Sequence, residues 1–142
     1  MTTTRFVTDP GSSTGAVNVI ADMAVQTAQT TVATSTTGAI APTATQFVNG
    51  LLLVTGTPGA QTLTTPTAAL IIAQIKNAQV GSSFDYTVMN NGDNTVTVAA
   101  GDASVTLSGT TTVAQQKTRF YKGVMTSTTA LTLYGVGYGV AP

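Results

Sequence analysis

Two rhythms of hydrophobic and polar positions divide the chain between Gln61 and Tyr134. From Thr64 to Asn77 the apolar residues Ala68, Ile71, Ile72 and Ile75 recur at three- and four-residue spacing, which makes one buried stripe on a short helix. Thr65 is placed to cap that helix and Pro66 to take its first position, where no amide donor is needed. Lys76 suits the carbonyl pole at the other end, so a helix near residues 66–76 is predicted to stop by Asn77. After Gly81 the period falls to two: Phe84, Tyr86 and Val88 face one side of a strand, and Asp85, Thr87 and Met89 the other. Asn90-Asn91-Gly92-Asp93-Asn94 tolerates positive φ, and residues 95–98 resume the alternation, which reads as a hairpin. Gly101-Asp102 turns the chain into a strand over 104–108. Residues 111–113 then lead across Ala114-Gln115-Gln116 into 118–122, and 130–134 is the last clear strand.

Upstream the pattern is less regular. Residues 1–18 are rich in Thr, Gly and Ser and read as an arm that orders on a partner or stays disordered. Residues 19–28 fit neither template, 29–34 favour a strand, and 35–43 read as a loop of small and hydroxyl residues. Residues 47–54 read as a central strand, because the unbroken Leu51-Leu52-Leu53-Val54 implies burial on both faces. One face meets the domain's own core, and the other meets the second layer of a sandwich or a neighbouring subunit. In the tail, 135–142, glycine alternates with apolar residues. Such a segment adds a strand to a neighbour, lies in a groove, or frays.

The expected fold is therefore all-β: an antiparallel β-sandwich or jelly-roll-like barrel, with one short helix near residues 66–76 and an extended N-terminal arm. The turns recur every 8–12 residues or so, as in sandwiches and barrels, and the short connections argue against the long crossovers of parallel strands. The domain plan is an arm at 1–18, one β domain at 19–134 and a Gly-rich tail at 135–142.

Composition adds one strong constraint. Only 7% of the 142 residues are charged, against roughly 25% in ordinary soluble domains, while 42% are hydrophobic. Hydroxyls and amides keep such a surface wet, but little repulsion holds copies apart, so self-association is expected. Lys117, Arg119 and Lys122 lie close in sequence, yet the net charge is zero and three basic residues on one strand make a solvated edge rather than a phosphate-binding patch. No segment resembles a signal peptide or a membrane span, and synthesis in the cytosol followed by assembly is expected.

Candidate chemistry is thin. There is no His, Cys or Glu, and the many Ser and Thr hydroxyls lack the base that would make them nucleophiles. Asp93 and Asp102 sit beside glycines, where turn geometry accounts for them. Asn91, Asp93 and Asn94 offer the hard oxygens calcium takes, but at a spacing that matches no calcium loop. Gly135-Val136-Gly137-Tyr138-Gly139 lacks the following helix that a phosphate loop needs. No enzyme activity, cofactor, metal, nucleic acid, membrane or small-molecule substrate is expected. The adjacent Phe120 and Tyr121 must point to opposite faces of a strand, leaving one of them for a surface.

The segments Thr62-Leu63-Thr64-Thr65-Pro66-Thr67-Ala68-Ala69-Leu70, Asn77-Ala78-Gln79-Val80-Gly81-Ser82-Ser83-Phe84-Asp85-Tyr86-Thr87-Val88 and Thr95-Val96-Thr97-Val98-Ala99-Ala100-Gly101 resemble a module common in structural proteins of tailed bacteriophages. The pattern, spanning 61–134, is similar above all to the small capsid decoration, or cement, proteins, and also to segments of phage fibre proteins. The resemblance implies a homotrimer on the outer surface of a virion head, bound to the major capsid protein and stabilising it. A tail-fibre or spike component that binds the host surface is the alternative. Candidate interface residues are Arg5 and Phe6 of the arm, Leu52 and Val54 of the apolar strand, Phe120 and Tyr121, and Tyr138 of the tail.

Overall fold

The computed structural model describes residues 32–35, 39–56 and 59–140, with side chains at 39–56 and 59–137. Strand is the dominant element, and two sheets pack over one core. The first six strands are β1 (Val32–Ser35), β2 (Ala39–Ile40), β3 (Gly50–Val54), β4 (Gln61–Thr64), β5 (Ser83–Asn90) and β6 (Val96–Ala99). After them come β7 (Val105–Ser108), β8 (Thr112–Val113), β9 (Lys117–Met125) and β10 (Leu131–Val140). The larger sheet runs β1-β3-β5-β9-β10-β7 and the smaller β2-β4-β6-β8.

From β1 to β9, consecutive strands lie in different sheets, so the chain changes layer at every connection. That corrects the expectation of antiparallel pairing: β1, β3 and β5 are mutually parallel, as are β2, β4 and β6. A parallel partner needs a long crossover, and a strand of the opposite layer supplies it here where a helix would in an α/β fold. The segment 90–94, expected to close a hairpin, instead carries the chain from β5 in one sheet to β6 in the other. The same holds at 101–104 and 114–116. Antiparallel pairing joins β5 to β9, β9 to β10 and β6 to β8. Among these only β9 and β10 are consecutive, and Thr126 and Ser127 donate to the Ala130 carbonyl at 3.0 and 3.2 Å in their turn.

Among the described residues two short helices pack on the core side by side, joined where the Thr45 hydroxyl donates to Gln74 Oε1 at 3.1 Å. The first, α1 (Ala44–Phe47), fills the gap between the predicted loop at 35–43 and the predicted strand at 47–54, and takes the first residue of that strand. Its capping box is complete: the Thr43 side chain accepts from the Gln46 amide at 3.3 Å, and Gln46 Oε1 accepts from the Thr43 amide at 3.0 Å. Asn49, at φ 53°, turns the chain out of the helix and into β3.

The second helix, α2 (Ala68–Ile72), is shorter than predicted, although its stripe falls where expected, with Ala68 and Ile71 buried and Ile72 and Ile75 half-buried against the core. The cap differs. Thr67 is the N-cap residue and makes no side-chain capping bond, whereas Asp102, from the connection after β6, accepts from the Ala68 amide through Oδ2 at 3.3 Å. A carboxylate there also meets the positive pole of the helix. Thr65 is occupied elsewhere: its hydroxyl accepts from the Gly101 amide at 2.9 Å and donates to the Pro66 carbonyl. The backbones are so close that a Cβ on Gly101 would stand 2.0 Å from the Thr65 carbonyl oxygen. Tight turns carry the run on to Asn77, whose φ of 54° ends it at the predicted place.

The core draws on both sheets: Leu52, Val54, Phe84, Tyr86, Val88, Tyr121, Leu131 and Leu133 from one, Leu63, Val96, Val98 and Val113 from the other, with Phe47 and Ile71 from the helices. Phe47 meets Tyr86 at a ring-centre distance of 4.2 Å and Phe84 edge-on at 5.8 Å. Gly123 pairs with Phe84 across the sheet, and its missing side chain is what admits the Phe84 ring.

Candidate interaction surface

The pleat of the larger sheet sorts every candidate on it. On β9 the residues Arg119, Tyr121, Gly123 and Met125 point into the core, leaving Phe120, Lys122 and Val124 on the outer face. The register continues that face sideways. Thr87 lies opposite Phe120, Asp85 opposite Lys122, and Tyr134 opposite Lys122 from the β10 side. Farther out, Leu51 stands beside Thr87 and Leu53 beside Met89. The outer face is thus mixed: Leu51, Leu53, Met89, Phe120, Val124 and Tyr134 are partly or well exposed among the hydroxyls of Ser83, Thr87, Thr106, Ser108 and Thr132, and its charged residues, Asp85 and Lys122, face one another.

Three candidate interface residues are corrected by this arrangement. Leu52 and Val54 are 0% exposed and Tyr121 3%. Their side chains fill the space between the sheets and cannot meet a neighbouring subunit. The run Leu51-Leu52-Leu53-Val54 therefore resolves into alternation, with Leu52 and Val54 inward and Leu51 and Leu53 half-buried outside. Phe120 is 47% exposed and is the outward member of its pair. Arg5 and Phe6 lie outside the described residues, as do the whole arm 1–18 and the side chain of Tyr138. The backbone of Tyr138 pairs with Arg119, because the tail continues β10 along β9 as far as Val140. That corrects the reading of 135–142 as a separate tail over the residues described.

The basic cluster on β9 is also dispersed. The strand lies inside the sheet, not at its edge. Arg119 is 2% exposed and its Nε donates to the Thr112 carbonyl at 3.0 Å. Lys122 Nζ contacts Asp85 Oδ1 at 3.0 Å, with both side chains well exposed, so the pair neutralises the face while contributing no more than about 1 kcal/mol to stability.

Polar groups inside the sandwich concentrate at the 90–94 corner. Asn90, 0% exposed, donates through Nδ2 to the carbonyls of Asn94, Val113 and Ala114 at 2.8–3.1 Å, and its Oδ1 accepts from the Gly92 amide. This one side chain ties β5 to the corner and to the end of β8. The Asn94 carbonyl, one of the oxygens a calcium loop would use, is turned inward to Asn90. Tyr86 and Gln61 are buried with no hydrogen-bond partner for hydroxyl or amide among the described residues. Burial pushes the Tyr86 phenol above its ordinary pKa, and the neighbouring Tyr121 adds to the shift.

Sequence reasoning missed Leu51, Leu53, Met89 and Val136 as surface residues and Asn90 as the corner's anchor. The period-two signal at 84–89 already placed Met89 outside. Asn90 had no such signal, because turn residues look alike whether or not they are buried. Among the described residues no group of three His, Cys, Asp or Glu side chains could hold a metal ion, and no helix is long and apolar enough to cross a membrane. Comparisons with family models, curated proteins and solved structures find no match.

Proposed function

We propose that the protein is a virion structural protein, a homotrimeric decoration or cement protein that binds the outer capsid surface and bridges capsid subunits. The observation that carries this reading is the outer face of the larger sheet, where Leu51, Leu53, Met89, Phe120, Val124 and Tyr134 lie among hydroxyl side chains and the two charges, Asp85 and Lys122, neutralise one another. A face of apolar and hydroxyl side chains without net charge, on a two-layer β domain, suits protein contact better than capture of a charged small molecule. The resemblance over 61–134 to phage decoration modules points the same way.

The action is mechanical. A trimer that contacts several capsid subunits at once turns weak individual contacts into firm attachment, with residues 1–18 supplying the reach to neighbouring subunits. The test is to incubate purified protein with bare capsids and count bound copies. Saturation at a number set by the capsid lattice, with a rise in the temperature of head disruption, is the expected result. No binding to bare capsids overturns the reading, and a handful of copies confined to the tail favours the fibre or spike alternative.

A further inference from the structure

We propose that the outer edge of β10 beyond Tyr134, with Phe120 and Val136 beside it, is the site where a second copy of this chain docks by adding a strand to the larger sheet. This rests on the self-associating reading above and assigns its contact surface. One side of β10 is paired with β9 along its whole length, but the other is paired with β7 only over Leu131–Tyr134. Among the described residues, no strand pairs with that side of Gly135–Val140. The row of backbone donors and acceptors there is a template for strand addition.

Native sheets blunt such edges with lysine, proline or a bulge. No residue after Lys122 is charged, and the first proline beyond it is Pro142. The one blunting device is the register shift between Gly135 and Gly137. Gly135 is hemmed in, since a Cβ there would lie 2.8 Å from the Thr110 carbonyl oxygen, whereas a Cβ on Gly137 would meet nothing within 4 Å. The edge therefore opens beyond the bulge, where alternating glycines allow a second backbone to come close.

A separate observation falls at the same place. Phe120, opposite Gly137, is 47% exposed, Tyr134 39% and Val136 62%. Val136 lies on the open stretch itself and would be covered by a strand laid along it, while Tyr134 at its start and Phe120 one strand further in would meet side chains reaching over from the added strand.

Charge identifies the occupant. Lys122, the nearest charged side chain on this face, already pairs with Asp85, while Arg119 and Lys117, opposite Tyr138 and Val140, are buried and half-buried on the other side of the pleat, so the outer face along the edge carries no net charge to repel an identical surface. A chain that is only 7% charged adds no long-range barrier to its own copy.

The experiment is native mass spectrometry across a dilution series on the full chain and on the double variant Phe120→Lys with Val136→Lys, joined to amide hydrogen exchange at 135–140. Both substituted side chains are exposed, and the melting temperature of the dilute protein checks that the fold survives. The expected result is an assembled wild type whose 135–140 amides exchange about tenfold faster once diluted to monomer, and a variant that stays monomeric where wild type is assembled. A variant that assembles like wild type, or exchange at 135–140 indifferent to assembly, overturns the proposal. Capsid binding separates the two readings. A wild type that is always monomeric yet coats bare capsids overturns the docking edge alone, and one that assembles through this edge but ignores capsids overturns the decoration role alone.

Discussion

Gly123 is the residue on which the aromatic part of the core depends most directly. It lies across from Phe84 in the ladder, and a Cβ at this position would fall 2.2 Å from the Phe84 ring. The ring has little room to retreat, because its other side meets Phe47, itself packed on Tyr86. Gly123→Ala should therefore cost about 1–3 kcal/mol in a urea titration, the usual penalty of overpacking, although alanine at an ordinary strand glycine would be neutral or better. Tyr86 has a different weakness. Its hydroxyl is buried without a partner among the described residues, and its pKa is raised by burial first and by Tyr121 second. A raised folded-state pKa means that the native protein holds its proton longer than the unfolded chain does. Stability is unaffected below the unfolded value near pH 10 and falls as pH rises beyond it, by up to about 1.4 kcal/mol per pH unit for one group. Tyr86→Phe keeps the ring contacts and removes the orphan hydroxyl, so it should match or exceed wild type at pH 7. Thermal melts from pH 8 to about pH 11 should fall less steeply for the variant than for the parent, and equal slopes would exclude Tyr86 as the group responsible.

At the scale of elements, what could be read from the sequence was what local interactions decide. The α2 stripe and the stop at Asn77 follow from side chains within a few residues of one another, as does the alternation of β5. Partner choice does not. Residues 90–94 have the composition of a hairpin turn, and nothing local distinguishes a turn back along the same sheet from a step to the other one. The deciding group is Asn90, which holds the carbonyls of Asn94, Val113 and Ala114 from inside the sandwich. Two of those partners lie far along the chain, beyond the reach of any periodicity. The same limit explains the α2 cap, where Asp102 reaches the Ala68 amide from a distant corner and leaves Thr65 free to bond Gly101. The capping box at Thr43-x-x-Gln46 was readable in principle, but it sits among small residues with no apolar stripe to draw attention to it. Asn90→Asp tests the corner. A carboxylate keeps the size and the acceptor for Gly92 yet cannot donate to three carbonyls, so the variant should lose about 2–4 kcal/mol at neutral pH by chemical denaturation. Asn94→Ala leaves the backbone carbonyl in place and should cost much less.

At the scale of the whole molecule charge plays a small part, since only 7% of the residues carry one. The described sandwich holds itself together through an apolar core and backbone ladders, and its exposed ion pair of Lys122 and Asp85 contributes little. The face and edge assigned to protein contact carry apolar, hydroxyl and main-chain groups and no net charge, so association through them is driven by burial of apolar area and by strand pairing. Screening lengths shrink from tens of ångströms to a few as salt rises, and contacts built on charge weaken steeply in the process. Contacts of the kind described here do not. Self-association and attachment to bare capsids should accordingly change less than about threefold in dissociation constant between about 50 mM and about 500 mM sodium chloride. Sulfate at equal ionic strength should tighten both, because it strengthens apolar burial. Titrations at several salt concentrations, read by light scattering for assembly and by co-sedimentation for capsid binding, measure the two separately. A steep loss of either with salt would mean that the contact is made by charged residues, and for capsid attachment it would move the contact off this face, to the exposed Lys76 and Asp93 or to Arg5, Asp9 and Asp22 outside the described residues.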